Sequence, residues 1–158
     1  IAGKLIGKYD PDKQTYSGLP HPPITIQQIE GIWGGEWHDA EFVGYVADKE
    51  VCRRRFCKNP IPAGIRIEAD DETLVADGMD TTRVVVKAVD QAGNVMPFFF
   101  EPITIQVTGS AALIGPSTVS LQGGVYAFWI RTTDQKGSIN ITVSHGLLGD
   151  QAVTIHAE

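Results

Sequence analysis

Hydrophobic and polar residues alternate with a period of two along most of the chain after Asp39, and this pattern predicts half-buried β-strands. No window fits a helix of ten residues, whereas turn signals such as Asp77-Gly78 and Gly123-Gly124 separate the alternating runs. The sequence therefore predicts an all-β fold. The residues expected in its core are Val84, Val86, Ile105, Val107, Ile139, Ile141 and Val143.

Residues 65–100 show this organisation most clearly, as strand, acidic turn, strand, Gly-Asn turn and a final strand from Val95 to Phe100. Some seven or eight strands over about 95 residues, with frequent turns, are typical of an immunoglobulin-like β-sandwich. The stiff Asn59-Pro60-Ile61-Pro62 stretch divides the chain. We predict a smaller β-rich segment over residues 1–60, interpreted as the remnant of a preceding Ig-like domain, and the sandwich over residues 61–158.

Residues 39–56 read as two short strands around the turn Asp48-Lys49-Glu50. Three consecutive arginines, Arg53 to Arg55, lie on the second strand and could suggest phosphate binding. Successive side chains of a strand point to opposite faces, so the three cannot form one clamp. We expect a solvated or ion-paired edge instead.

The stretch VYAFWIR, residues 125–131, is apolar on both faces of the strand that it predicts. A sandwich strand buries one face in its own core, so the second face, with Val125, Ala127 and Trp129, needs another cover. We predict an interdomain packing surface there. Residues 1–60 folding back and a further domain of a longer protein are the two candidate covers, and the aromatic content of residues 1–60 favours the first.

Composition narrows the function classes. The net charge of −6 argues against nucleic-acid binding, which needs a basic face. No apolar run reaches the ~18 residues of a membrane span, so no membrane partner is expected. The chain starts at Ile1 without the apolar core of a signal peptide, and we expect it to be a piece of a longer protein.

The two cysteines, Cys52 and Cys57, would lie roughly 16 Å apart along an extended strand. A disulfide requires their Cα atoms within about 7 Å, so we predict two free, semi-buried thiols.

Candidate chemistry is sparse. The acidic residues between Asp70 and Asp80 lie in or beside turns, where Asp accepts backbone N–H groups, and their spacing does not match a helix–loop–helix calcium site. The four histidines lack metal-ligand spacing. We therefore predict no catalytic residue, no metal site and no cofactor. Trp33 and Trp37, which flank two glycines, are candidates for stacking on a carbohydrate or for packing.

Three stretches carry a family resemblance: residues 39–56, residues 69–98 and residues 115–137. Together they resemble the C-terminal region of bacterial family 2 glycoside hydrolases of the beta-galactosidase type. The turns at residues 76–80 and 90–94 are also similar to those of invasin-like bacterial Ig repeats.

The resemblance implies a parent enzyme that hydrolyses O-glycosidic bonds with catalytic glutamates on an upstream barrel domain. A barrel needs about 250 residues, so this chain would be a non-catalytic accessory domain whose partners are the catalytic and sandwich domains of its parent. A stalk or adhesin module and an independent carbohydrate-binding module are the alternatives. We expect a bacterial protein in the periplasm or outside the cell rather than in the cytoplasm.

Overall fold

The computed structural model describes residues 1–10 and 38–158, and the regular secondary structure within these ranges consists of strands without a helix. The predicted all-β class is therefore confirmed. The chain forms two compact units, Ile1–Asn59 and Pro60–Glu158.

The first unit contains an antiparallel hairpin of β1 (Ala40–Val46) and β2 (Lys49–Phe56). Both residues between the strands, Ala47 and Asp48, have positive φ angles, 47° and 62°. Such angles are characteristic of the two-residue type I′ turn, whose twist matches that of the flanking strands. The turn therefore lies at residues 47–48, slightly before the predicted Asp48-Lys49-Glu50, and Lys49 already pairs with Val46.

The second unit is a sandwich of a five-stranded and a four-stranded sheet. Its strands are β3 (Pro62–Ala69), β4 (Thr73–Leu74), β5 (Thr81–Asp90), β6 (Pro102–Gly109), β7 (Ala111–Ile114), β8 (Thr118–Ser120), β9 (Val125–Thr132), β10 (Gly137–His145) and β11 (Gly149–Ala157).

The strand order is that of an immunoglobulin-like sandwich. One sheet has the order β3-β5-β9-β7, which matches the A-B-E-D sheet of Ig domains. The other has the order β4-β11-β10-β6-β8, in which β11-β10-β6 match the G-F-C sheet and the short strands β4 and β8 are added at its two edges. The first edge strand changes sheets, because β3 pairs with β5 whereas β4 runs parallel to β11. The consecutive strands β7 and β8 divide in the same way between β9 and β6.

Alternating residues from both sheets form one core, as the sequence pattern predicts. Val84 and Val86 of β5 are completely buried, and so are Ile139, Ile141 and Val143 of β10. Ile105 is buried as well. Six of the seven predicted core residues are thus confirmed.

Val107 is the exception among them, because it is only half-buried. The short strand β8 pairs with β6 only over Pro102–Thr104, and among residues 1–10 and 38–158 no other strand pairs with this edge of β6.

The strand predicted from Val95 to Phe100 is wrong. In the structure this stretch is a loop, and its one ladder contact is an isolated bridge between Val95 and Val89. Pro97 has no N–H to give to a sheet. The N–H of Phe99 instead donates to the carbonyl of Met96, which turns the chain and directs the Phe99 side chain into the core.

Cys52 and Cys57 are both free thiols, which confirms that they are not bonded to each other. Cys52 is exposed on β2, whereas Cys57, which follows the strand, is buried. The expectation of two semi-buried side chains is therefore wrong for each. The chain leaves the exposed strand between the two residues, so their surroundings differ.

Candidate functional site

The outward face of the β3-β5-β9-β7 sheet carries an apolar strip along β9. Phe128 and Ile130 of β9 are buried in the core, while Ala127 and Trp129 are exposed and Val125 is half-buried. The predicted two-faced strand is thus confirmed.

Neighbouring strands extend this strip sideways. Ile114 of β7 pairs with Trp129, and Val85 of β5 pairs with Ala127. Trp129 leaves 49% of its surface accessible and Ile114 leaves 47%. The Trp129 face is defined here as Val85, Ile114, Val125, Ala127 and Trp129. Exposed apolar patches of this kind are characteristic of interaction surfaces.

Two ion pairs border the Trp129 face. Arg83, which pairs with Trp129 across the strands, donates to Asp70 at 2.9 Å, and Lys87 contacts Glu68. Exposed pairs of this type add little to stability. Their importance here is that both of these cations, at this border of the face, already have an anionic partner.

The acidic turn before β5 organises its own backbone. One carboxylate oxygen of Asp77 accepts N–H bonds from Met79 and Asp80, both at 2.8 Å, and these bonds lower the pKa of Asp77. Asp80 in turn accepts the N–H of Val75 at 2.8 Å. These carboxylates therefore stabilise the turn by accepting backbone N–H bonds, as the sequence predicts. Across residues 1–10 and 38–158, His, Cys, Asp and Glu side chains form no group of three or more that could hold a metal ion.

Asp90 plays a similar role where β5 ends. Its carboxylate accepts the N–H groups of Ala92 and Asn94, each at 2.8 Å. Burial acts to raise the pKa of Asp90, but the donated N–H bonds outweigh it, and the pKa lies below the ordinary carboxyl value. Asp90 is thus an ionised, hydrogen-bonded anchor of the loop that follows it.

The arginine run of β2 divides between the two hairpin faces. Arg53 contacts both Glu41 and Glu50 at 2.7 Å, and Arg55 contacts Asp39 at 2.9 Å. Arg54 lies over the ring of Phe56, 5.5 Å from its centroid. The prediction of an ion-paired edge is confirmed for Arg53 and Arg55, and the run forms no single anion clamp.

A second apolar surface, which the sequence pattern did not reveal, lies where β5 leads to β6 and β10 leads to β11. Phe98, Phe100 and Leu147 are exposed there, with 90%, 58% and 78% of their surface accessible. The loop end is defined here as these three residues. The only sequence signal was the triple Phe after Pro97, which was assigned to a strand.

His145 and Phe99 join the two loops of this end. The Nδ1 atom of His145 accepts the N–H groups of Leu147 and Leu148, at 3.1 and 3.0 Å. The ring of His145 lies 5.3 Å from that of Phe99. Both residues are buried, so the exposed side chains next to them stand on a packed base.

Trp33 and Trp37 lie outside the described residues, so carbohydrate binding by them stays a prediction. The part of the chain that the structure describes has no helix long and apolar enough to cross a membrane.

Comparisons with known proteins identify relatives of the whole sandwich. Residues 65–154 match the family model "Glycoside hydrolase family 2 C-terminal domain 5". A beta-galactosidase from Rhizobium meliloti is 41% identical over 128 residues, which cover 77% of this chain and 17% of that protein. One from Rhizobium radiobacter is 35% identical, with coverage of 80% of this chain and 91% of the other. The chain therefore spans about a sixth of the first relative and nearly all of the second.

Among solved structures, a beta-glycosidase from Bacteroides vulgatus superposes with a TM-score of 0.66 at 16% identity. The match covers 88% of this chain and 20% of that one. At this identity the likeness concerns the fold alone.

Proposed function

Since the chain belongs to the glycoside hydrolase family 2 C-terminal domain 5 family, we propose that it is a non-catalytic accessory domain of a larger glycoside hydrolase. We further propose that the parent enzyme hydrolyses O-glycosidic bonds of beta-galactosides, because the relatives are named beta-galactosidases. The Rhizobium meliloti relative supports the proposal that this chain is one part of a larger enzyme, since this chain matches only 17% of that relative.

The observation that carries the accessory role is the Trp129 face. It is an apolar strip on the outer side of a sheet whose inner side already forms the core, so it contributes nothing to the sandwich's own packing. Two of its bordering cations, Arg83 and Lys87, are paired with acidic side chains, while Arg131 is exposed at the end of the strip. An apolar surface whose bordering charges are mostly paired is suited to burial against another part of the same protein, where unpaired charges would be costly. We propose that this face packs on the rest of the enzyme.

Five carboxylates of the sandwich have structural roles, which supports the proposal of a non-catalytic domain. Retaining glycosidases use two carboxyls about 5 Å apart that flank the substrate. In the sandwich, the carboxylates of Asp77, Asp80 and Asp90 accept backbone N–H bonds, and those of Asp70 and Glu68 are paired with basic side chains. These groups are therefore committed to the fold.

Activity measurements test the non-catalytic role. The 158-residue chain, incubated with chromogenic galactosides, glucuronides and mannosides, should give background turnover, while the full-length gene product should hydrolyse the galactoside. Turnover by the isolated chain that disappears when one of its own Glu residues is replaced by Gln would contradict the proposal.

Deleting residues 1–60 distinguishes the two covers considered for the Trp129 face. If this segment covers the face, the shortened protein should bind more hydrophobic dye, self-associate and melt at a lower temperature. An unchanged melting temperature and a monomeric state would assign the cover to the remainder of the enzyme. The predicted location in the periplasm or outside the cell stays a prediction, which cell fractionation would check.

A further inference from the structure

We infer that the domain contacts the body of its enzyme on two sides, with the Trp129 face and also with the loop end formed by Phe98, Phe100 and Leu147. This inference rests on the proposed function and deepens it, because it assigns a second anchoring surface to the same partner. The occupant of the loop end is an apolar surface of the enzyme's own chain in the part that precedes this domain.

Packing and hydrogen bonds hold the backbone of the loop end in place. Phe99 inserts into the core between the two exposed aromatic residues, Phe98 and Phe100. The carbonyl of Phe99 accepts the N–H of Gly124, and its ring packs on His145. Aromatic side chains held on a fixed base lose little conformational freedom on binding, which is characteristic of interface anchors.

An apolar strip runs from the Trp129 face towards the loop end. Val95 pairs with Val89 of β5, which lies on the same outward face as Val85. The position where a Cβ of Gly124 would stand is 3.3 Å from Cγ1 of Val95, so Val95 lies beside the start of β9. The strip therefore runs from Trp129 along β9 to Val95, and Phe98 follows three residues later. One partner surface can cover both regions.

The incoming chain also lies next to the loop end. Pro62 at the start of β3 pairs with Asp90 at the end of β5, and the N–H of Ile61 donates to the Gln91 side chain at 2.9 Å. The polypeptide thus enters the sandwich at the end where β5 finishes and the Phe98 loop begins. The Rhizobium meliloti relative is about six times longer than the matched segment, and the matched family is a C-terminal domain. The preceding chain of such an enzyme would therefore join the sandwich at the loop end.

Side-chain accessibility tests the inference directly. Single cysteines are introduced as Phe98→Cys, Trp129→Cys and His156→Cys, each in a Cys52→Ser background that removes the exposed native thiol. His156 is exposed on β11, in the other sheet and at the end away from Leu147, and is the matched control. Each variant is made in the isolated 158-residue chain and in the full-length enzyme. Maleimide labelling is then followed peptide by peptide with mass spectrometry.

The inference predicts that labelling at residue 98 and at residue 129 slows by about tenfold or more in the full-length enzyme, whereas residue 156 labels equally in both proteins. Normal labelling at residue 98 with slow labelling at residue 129 would overturn the inference and leave the proposed function intact. If residues 98 and 129 label as fast in the full-length enzyme as in the isolated chain, both the inference and the proposed function are contradicted. Slow labelling at residue 98 alone would support the loop-end contact and contradict the role of the Trp129 face.

Protection of residue 98 in the isolated chain that grows with protein concentration would mean that a second copy covers the loop end, and it would overturn the inference. Leu147→Ser in the full-length enzyme provides an independent readout. It should speed labelling at residue 98 without affecting residue 156, because it weakens only the loop-end contact.

Discussion

The ring of His145 lies 5.3 Å from the ring of Phe99, and this buried contact links the loop after β5 to the turn after β10. Nδ1 of the same histidine accepts two backbone N–H groups, so one side chain both packs a loop and closes a turn.

Replacing His145 with Leu should therefore destabilise the sandwich, because the part-buried N–H groups of Leu147 and Leu148 lose their acceptor. We expect a loss of roughly 1–3 kcal/mol in the free energy of unfolding, measured with urea. His156→Leu is the control, since His156 is exposed on β11, and its loss should stay within about 0.5 kcal/mol. Equal losses for both variants would contradict the capping role.

Adjacent glycines at residues 123 and 124 allow a matched test of backbone geometry. Both have positive φ angles, 62° and 75°, so alanine is strained at either position. A Cβ on Gly124 would lie 2.1 Å from the carbonyl oxygen of Met96, whereas a Cβ on Gly123 has its nearest neighbour at 3.9 Å. We expect Gly123→Ala to cost roughly 1–2 kcal/mol and Gly124→Ala considerably more. If thermal melting shows the two variants to be equal, the close approach of the Phe98 loop to β9 is wrong.

Ile141 tests the position of the core. Its side chain is fully buried and lies at the centre of β10. Ile141→Ala should lower the free energy of unfolding by roughly 2–5 kcal/mol, because it leaves a cavity between the sheets. Thr154→Ala on the exposed face of β11 should change it by less than about 0.5 kcal/mol. A small change in the free energy of unfolding for Ile141→Ala would contradict the assignment of Ile141 to the core.

Asp90 should make stability depend on acid. Its pKa is lowered in the folded protein, so its carboxylate stabilises the fold above its unfolded value of ~3.9, and this contribution disappears as the pH falls through the folded pKa. Asp90→Asn should therefore flatten the decline in stability below about pH 4. Asp150→Asn removes an equal charge from an exposed site and is the control. Urea titrations between pH 2 and 7 would show an unaltered decline if Asp90 had no such role.

The sequence predicted the class of fold and most of the core because period-two alternation follows directly from strand geometry, as in β5 and β10. It failed from Val95 to Phe100, where the apolar run has strand composition but Pro97 and the hydrogen bond from Phe99 to Met96 turn the chain. Residue composition alone does not predict such a turn. The loop end was missed for the same reason.

The Trp129 face was predictable because an apolar outward face contradicts the usual alternation of a sandwich strand. Its bordering ion pairs were not, since Arg83 and Asp70 are 13 residues apart and meet only once β3 pairs with β5. The hairpin turn lies earlier than the sequence predicts because Ala47 adopts a positive φ angle, which is uncommon for alanine.

The melting temperature of a Trp129→Ser variant in two contexts tests most directly whether this domain serves as a packed accessory part of its enzyme. In the isolated chain half of Trp129 is already exposed, so its replacement should lower the melting temperature less than in the full-length enzyme. In the full-length enzyme the same replacement should lower the transition of this domain, because truncating a buried interface tryptophan costs roughly 2 kcal/mol or more. An equal shift in both proteins, or no shift in either, would contradict the account.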